Sequence, residues 1–149
     1  MARICLLLTG FIFTLALPAA VLSVVIAIAV NCAPLYHYGF VKYDTAATPG
    51  LEMAEMDRAA KELIEYWNSD EELISVTVTK NGQAMNLFKQ RETLHLLDVK
   101  ELIRLDYRVL AVAGGLILLI TLIYVLRRRW RALAGALLWG SGLSLVLAA

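Results

Sequence analysis

Residues 4–41 contain no charged side chain, and residues 4–30 alone exceed the roughly 20 apolar residues that a helix needs to cross a bilayer. Two further uncharged runs, residues 109–126 and 132–149, have 18 residues each. With 60% hydrophobic and 18% charged residues, the chain lacks the polar surface of a soluble domain of this size. The pattern predicts an α-helical polytopic membrane protein with spans at 4–30, 109–126 and 132–149. The stretch "LPAAVLS" resembles a signal-peptidase site, but a signal peptide's apolar core is about 7 to 15 residues long, and this one continues through "VVIAIAV". An uncleaved anchor is therefore expected, with a kink at Pro18, which removes a backbone donor in mid-span.

Orientation follows from the arginines. "RRRWR", residues 127–131, separates the second and third runs and predicts a cytoplasmic basic loop, with Trp130 in the interfacial aromatic belt. Arg3 at the other cytoplasmic end agrees. The segment 31–108 is longer than the ~60 residues over which charge bias governs topology, so its lysines do not oppose an extracytoplasmic location. The N-terminus is then inside. Ala149 ends an apolar run without a polar tail, which is the pattern of a truncated four-span bundle.

A net charge of +1 argues against nucleic acid as a partner, because no basic face is available to displace counterions. Cys5 and Cys32 are too few for a disulfide framework or a thiolate metal site. Lipoprotein signals place a small residue directly before the cysteine; here Asn31 precedes Cys32, so Cys32 reads as structural.

Within 31–108, the aromatic-rich "NCAPLYHYGFVKYD" suits an interfacial loop, and its His37 reads as an interfacial residue. Thr48 is placed to cap a helix whose first position is Pro49. Met56, Ala60, Leu63, Ile64 and Trp67 then recur at helical spacing, predicting an amphipathic helix that ends near Asn68. "LISVTVT" alternates and meets "QAMNLF" across Lys80, Asn81 and Gly82, where Asn-Gly is the preferred pair for a tight hairpin. A helix from about Leu87 runs into the second span. The expectation is a small extracytoplasmic α+β domain of about 75 residues, a size at which a core is marginal alone. Gly114 and Gly115, inside a span, are expected to serve close helix packing.

On the helix from Leu87, Arg91, Glu92, His95 and Asp98 recur every three or four residues and share a face. Asp98 or Glu92 can orient one ring nitrogen of His95, leaving the other as general base. Spacing alone equally describes a solvated face of weak charge pairs. Glu92 and His95 also form Glu-x-x-His, half of a di-iron pattern, but the chain has no second copy. The four arginines at 127–131 are topology determinants first; binding of anionic lipid headgroups would follow from any such cluster.

Through "YHYGFVKYDTAATPGLEMAEMDRAAKELIEYWN" and "NGQAMNLFKQRETLHLLDVKELIRLDYRV" the chain resembles the bacterial integral membrane family that includes lipoprotein intramolecular transacylase, most specifically at "HLLDVK". The resemblance implies a multi-pass protein of the bacterial cytoplasmic membrane, acting on membrane-embedded diacylglyceryl lipoprotein. The implied reaction moves the sn-2 acyl chain of diacylglyceryl-cysteine to the α-amino group of the same cysteine. It implies His95 as the catalytic histidine and no cofactor. Asp98 or Glu92 is the expected orienting group, and Arg91 or Lys100 the expected electrostatic helper. The family's second functional histidine lies beyond the third span, past Ala149, so a truncated chain and a degenerate relative both fit. The alternatives are a non-enzymatic membrane protein whose external domain binds a partner protein or lipid, and a lipid-binding or transport accessory.

One geometric demand accompanies this reading. His95 precedes Val109 by 14 residues, so a straight helix lifts it about 21 Å above the apolar boundary. Either the helix breaks or tilts near Leu102–Leu105, or an apolar groove reaches the histidine, with the leucines at 94, 97, 102 and 105 lining it.

Overall fold

A computed structural model describes residues 2–44 and 50–148. Among them are α1 (Ala2–Asn31), α2 (Ala33–Lys42), α3 (Met53–Asn68), β1 (Thr77–Lys80), β2 (Gln83–Asn86), α4 (Gln90–Leu126) and α5 (Trp130–Ala148). Three helices are long and apolar enough to cross a membrane, over Leu7–Asn31, Gln90–Leu126 and Trp130–Leu147. The chain is mostly helical, and its one described sheet has only two strands. It divides into two compact units, one of residues 1–27 and 105–149, the other of residues 28–104.

In the first unit, α1, α4 and α5 pack through small and aromatic side chains. Phe13, Ile120, Tyr124, Leu133 and Ala136 form one buried cluster, and Ala16, Ala20 and Ala113 a second. Ala16 and Ala20 recur at i,i+4 and let helix backbones approach, which is how helices associate where burial from water is not the driving force. Thr9 Oγ1 and Tyr124 Oη share a hydrogen bond of 2.9 Å between α1 and α4. The close approach expected at Gly114 and Gly115 is not there: a Cβ at either would meet nothing within 4 Å. It occurs instead at Gly140, where a Cβ would stand 2.8 Å from Leu17 Cδ2. The packing face of α4 follows Ala113, Ile117, Ile120 and Tyr124, and the two glycines are rotated off that line. Pro18 lies inside α1, which continues through it as one helical element.

In the second unit, α3 buries Met56, Ala59, Ala60, Tyr66 and Trp67. Its first described helical residue is Met53, with Glu52 at the cap; the expected Thr48 cap and Pro49 start lie outside the described residues. The segment after α3 alternates as its sequence demands, with Ile74, Val76 and Val78 buried and Ser75, Thr77 and Thr79 exposed. β1 and β2 pair antiparallel with Lys80 opposite Gln83, leaving Asn81 and Gly82 as the turn. Both have positive φ, 52° and 78°, the left-handed pair that a type I′ hairpin requires and that Asn-Gly adopts at least cost. Charge ties the hairpin to α3: Arg58 donates to Glu55, Glu62 and the Thr77 carbonyl, and Glu55 accepts the Thr79 amide.

The segment read as an interfacial loop contains α2, a ten-residue helix begun by Pro34 in its first turn, where a missing N–H costs nothing. Its sequence has the i,i+4 pair Tyr36 and Phe40, a helical signal that the aromatic content obscured. Of the alternatives of a break or tilt near Leu102–Leu105 or an apolar groove, the break is removed, since α4 is one uninterrupted helix of 37 residues.

Candidate functional site

An open apolar cavity of about 990 Å³ lies within the 28–104 unit. α2 contributes Tyr36 and Phe40, and α3 contributes Met56, Ala59, Ala60 and Leu63. Leu87 and Phe88 close it from the segment before α4, and the first two turns of α4 supply Arg91, Glu92, His95 and Leu96. The α3 residues follow helical spacing, so the amphipathic stripe legible in the sequence is the same stripe that walls the groove. Small side chains at 59 and 60 leave room that larger ones would fill.

His95 is exposed on the groove, and among the described residues its ring makes no hydrogen bond. Arg91, one turn earlier on the same wall, makes no ion pair among the described residues. Glu92 is partly committed elsewhere: its Oε2 accepts the backbone N–H of Lys89 at 2.8 Å. Lys89 precedes the first residue of α4, so this is the reach-back half of a capping box, satisfying an amide that helix geometry leaves unpaired. Asp98 is exposed on α4 and does not line the groove.

Lys100 lies apart from this group. It is five residues from His95, half a turn round the helix, and only 1% exposed. Its ammonium donates to Ser69 Oγ at 3.1 Å and to the Glu71 carbonyl at 2.7 Å, and stands 3.8 Å from the Tyr66 ring centroid. Arg104, one turn further, donates to the Ser69 carbonyl at 2.7 Å and to Asp70 at 3.1 Å. Burial pushes the Tyr66 phenol above its ordinary pKa, and its hydroxyl donates to the Glu72 carbonyl. Together these contacts clip residues 69–72 to α4.

The leucines expected along the groove are out of phase with it. Leu94, Leu102 and Leu105 are exposed, and Leu97 borders the polar hollow around Lys100. At 100° per residue, Leu96 is the leucine that shares the His95 wall. Residues 11–149 match the family described as lipoprotein intramolecular transacylase.

The chain belongs to the lipoprotein intramolecular transacylase family.

No curated protein and no solved structure matches it. In this transacylase-family chain the groove walls are held by contacts that sequence reading did not anticipate. His37 Nδ1 and Asp57 Oδ1 lie 2.8 Å apart, joining α2 to α3. Trp67 Nε1 donates to Tyr36 Oη, which donates to the Val30 carbonyl, so a groove-lining tyrosine is fixed from both sides. These pairs are 20 and 31 residues apart in the chain, and no local pattern announces them. Among the described residues no three His, Cys, Asp or Glu side chains gather as a metal site.

The hairpin docking network is electrostatic. The Arg58 guanidinium, and next the Thr79 amide, hold the Glu55 carboxyl below the usual carboxylate range. Arg58 is in turn raised above its own ordinary value, chiefly by its bond to Glu55.

Proposed function

We propose that the protein transfers the sn-2 acyl chain of a diacylglyceryl-cysteine lipoprotein to the α-amino group of that cysteine, with His95 as the acid–base group. The observation that carries this reading is an imidazole free of protein partners on the wall of an apolar cavity of about 990 Å³, in a chain of this family. Cavities that take small apolar ligands run to about 1,000 Å³, so an acyl chain can lie against Tyr36, Phe40 and Leu63 while its ester reaches the histidine.

The reaction needs no covalent enzyme intermediate, because amine and ester belong to one molecule and positioning supplies much of the rate. The amine nitrogen attacks the ester carbonyl carbon as His95 accepts the amine proton. A tetrahedral oxyanion forms, and the Arg91 guanidinium on the same wall can stabilise its charge. Collapse breaks the bond to the glyceryl oxygen, which takes the proton back from the imidazolium. The products are an N-acylated cysteine and a glyceryl group with a free 2-hydroxyl. Asp98, or the second oxygen of Glu92, is available to orient the imidazole once substrate excludes water.

Residues 31–108 are assigned to the extracytoplasmic side, where lipoproteins reside; the arginines at 127–131 support this topology. The test is mass spectrometry of lipoprotein N-termini from cells carrying the gene, its His95→Ala variant, or neither. A positioned general base is worth about 10²- to 10⁴-fold, so His95→Ala should leave the diacylglyceryl form almost unconverted. Lyso-form lipoprotein at wild-type levels in the variant would refute the assignment.

A further inference from the structure

The guanidiniums of Arg127, Arg128, Arg129 and Arg131 have no counter-charge near them in the unit that carries them. That unit, residues 1–27 and 105–149, has six arginines and a single carboxylate, Asp106. Asp106 lies on α4, 20 residues before its last residue Leu126, about 30 Å along the axis from the arginine turn. Among the described residues none of the four arginines makes an ion pair.

The backbone adds an independent observation. The Arg128 amide donates to the Val125 carbonyl and the Arg129 amide to the Tyr124 carbonyl, the paired bonds of a Schellman motif ending α4. Arg128 therefore occupies the left-handed position, with φ 52°, where glycine is the usual residue because a side chain there strains the backbone. The site holds an arginine where glycine would fit with less strain, and such outliers point to function. Its side chain joins Arg129, Trp130 and Arg131 around a hollow of about 490 Å³. This turn links two helices apolar enough to cross a membrane, and Trp130 is 57% exposed, as suits a side chain at the headgroup level.

We propose that Arg128, Arg129 and Arg131 form a binding site for the phosphate of an anionic phospholipid headgroup. Guanidinium forks match phosphate oxygens in pairs, which a lysine ammonium does not, and the lipid supplies the missing negative charge. The site is separate from the groove at His95 and does not depend on the reaction assigned there.

The test uses the full chain, purified in neutral detergent so that membrane topology plays no part, titrated with phosphatidylglycerol or phosphatidylcholine and read by native mass spectrometry. Wild type should retain phosphatidylglycerol at least about tenfold more tightly. The triple variant R128Q/R129Q/R131Q should lose that preference, and R128K/R129K/R131K should keep part of it. Arg128→Gly should raise the thermal midpoint in lipid-free detergent while weakening the preference, separating strain from binding. Equal retention of the two lipids by wild type, or an undiminished preference in the glutamine variant, overturns the proposal. So does full competition by millimolar inorganic phosphate, which would make the ligand a free anion instead of a lipid.

Discussion

The Lys100 ammonium sits 3.8 Å from the centre of the Tyr66 ring in a residue that is 1% exposed. Its direct hydrogen-bond partners, Ser69 Oγ and the Glu71 carbonyl, are neutral, and the nearby Glu71 and Asp70 carboxylates add to the dipoles and the ring's quadrupole in holding the charge. Lys100→Ala removes the buried stem together with both bonds and should cost about 2–4 kcal/mol. Lys100→Met keeps the stem and should cost less. Denaturant unfolding of both variants checks the order. Transacylation per folded molecule should stay near wild type, because Lys100 is off the groove.

Glu92 offers a way to separate helix capping from chemistry. Its carboxylate accepts the Lys89 amide, a bond that glutamine can also make. Glu92→Gln should therefore keep wild-type stability, and Glu92→Ala should lose about 1 kcal/mol. If both convert lipoprotein at the wild-type rate once corrected for folded protein, Glu92 is not the orienting group of the proposed mechanism, and Asp98 is the carboxylate left for that role. Loss of turnover in both variants, with Glu92→Gln still as stable as wild type, assigns that role to Glu92.

Leu63 lines the groove from α3 and is only partly buried, so a larger side chain there projects into the cavity without overfilling the α3 core. Leu63→Trp is expected to lower kcat/KM about tenfold for substrates with long acyl chains and much less for short ones. An unchanged thermal midpoint confirms that the fold is intact. Equal losses for both chain lengths would argue against an acyl chain in this groove.

The Glu55–Arg58 network predicts how the 28–104 unit responds to acid. Because Glu55 is held below its ordinary pKa of 4.5, its contribution is fully present above that value. It is lost as pH falls through the lowered one. Glu55→Gln has no carboxylate to protonate. Its thermal midpoint should start lower at pH 6 and fall less steeply toward pH 3 than that of wild type. Parallel curves for the two proteins would show that this carboxylate is not coupled to folding.

What could be read directly from residues was local. Uncharged length predicted helices able to cross a membrane, because an unpaired backbone group in hydrocarbon costs too much for other conformations. Alternation at 74–78 and the Asn81–Gly82 pair specified a hairpin, since strand period and positive φ are properties of short stretches. Of the stripe Met56, Ala60, Leu63, Ile64 and Trp67, three are buried on α3 and Leu63 and Ile64 are partly buried. Packing decided the rest. Lys100 shares a helix with His95 yet turns inward under Tyr66, and Gly140 makes the close approach that the adjacent pair Gly114 and Gly115 suggested. His37 meets Asp57 across 20 residues of chain. Those outcomes depend on the rotational phase of one helix against another and on where loops return the chain, and no window of sequence shorter than the whole unit contains that information.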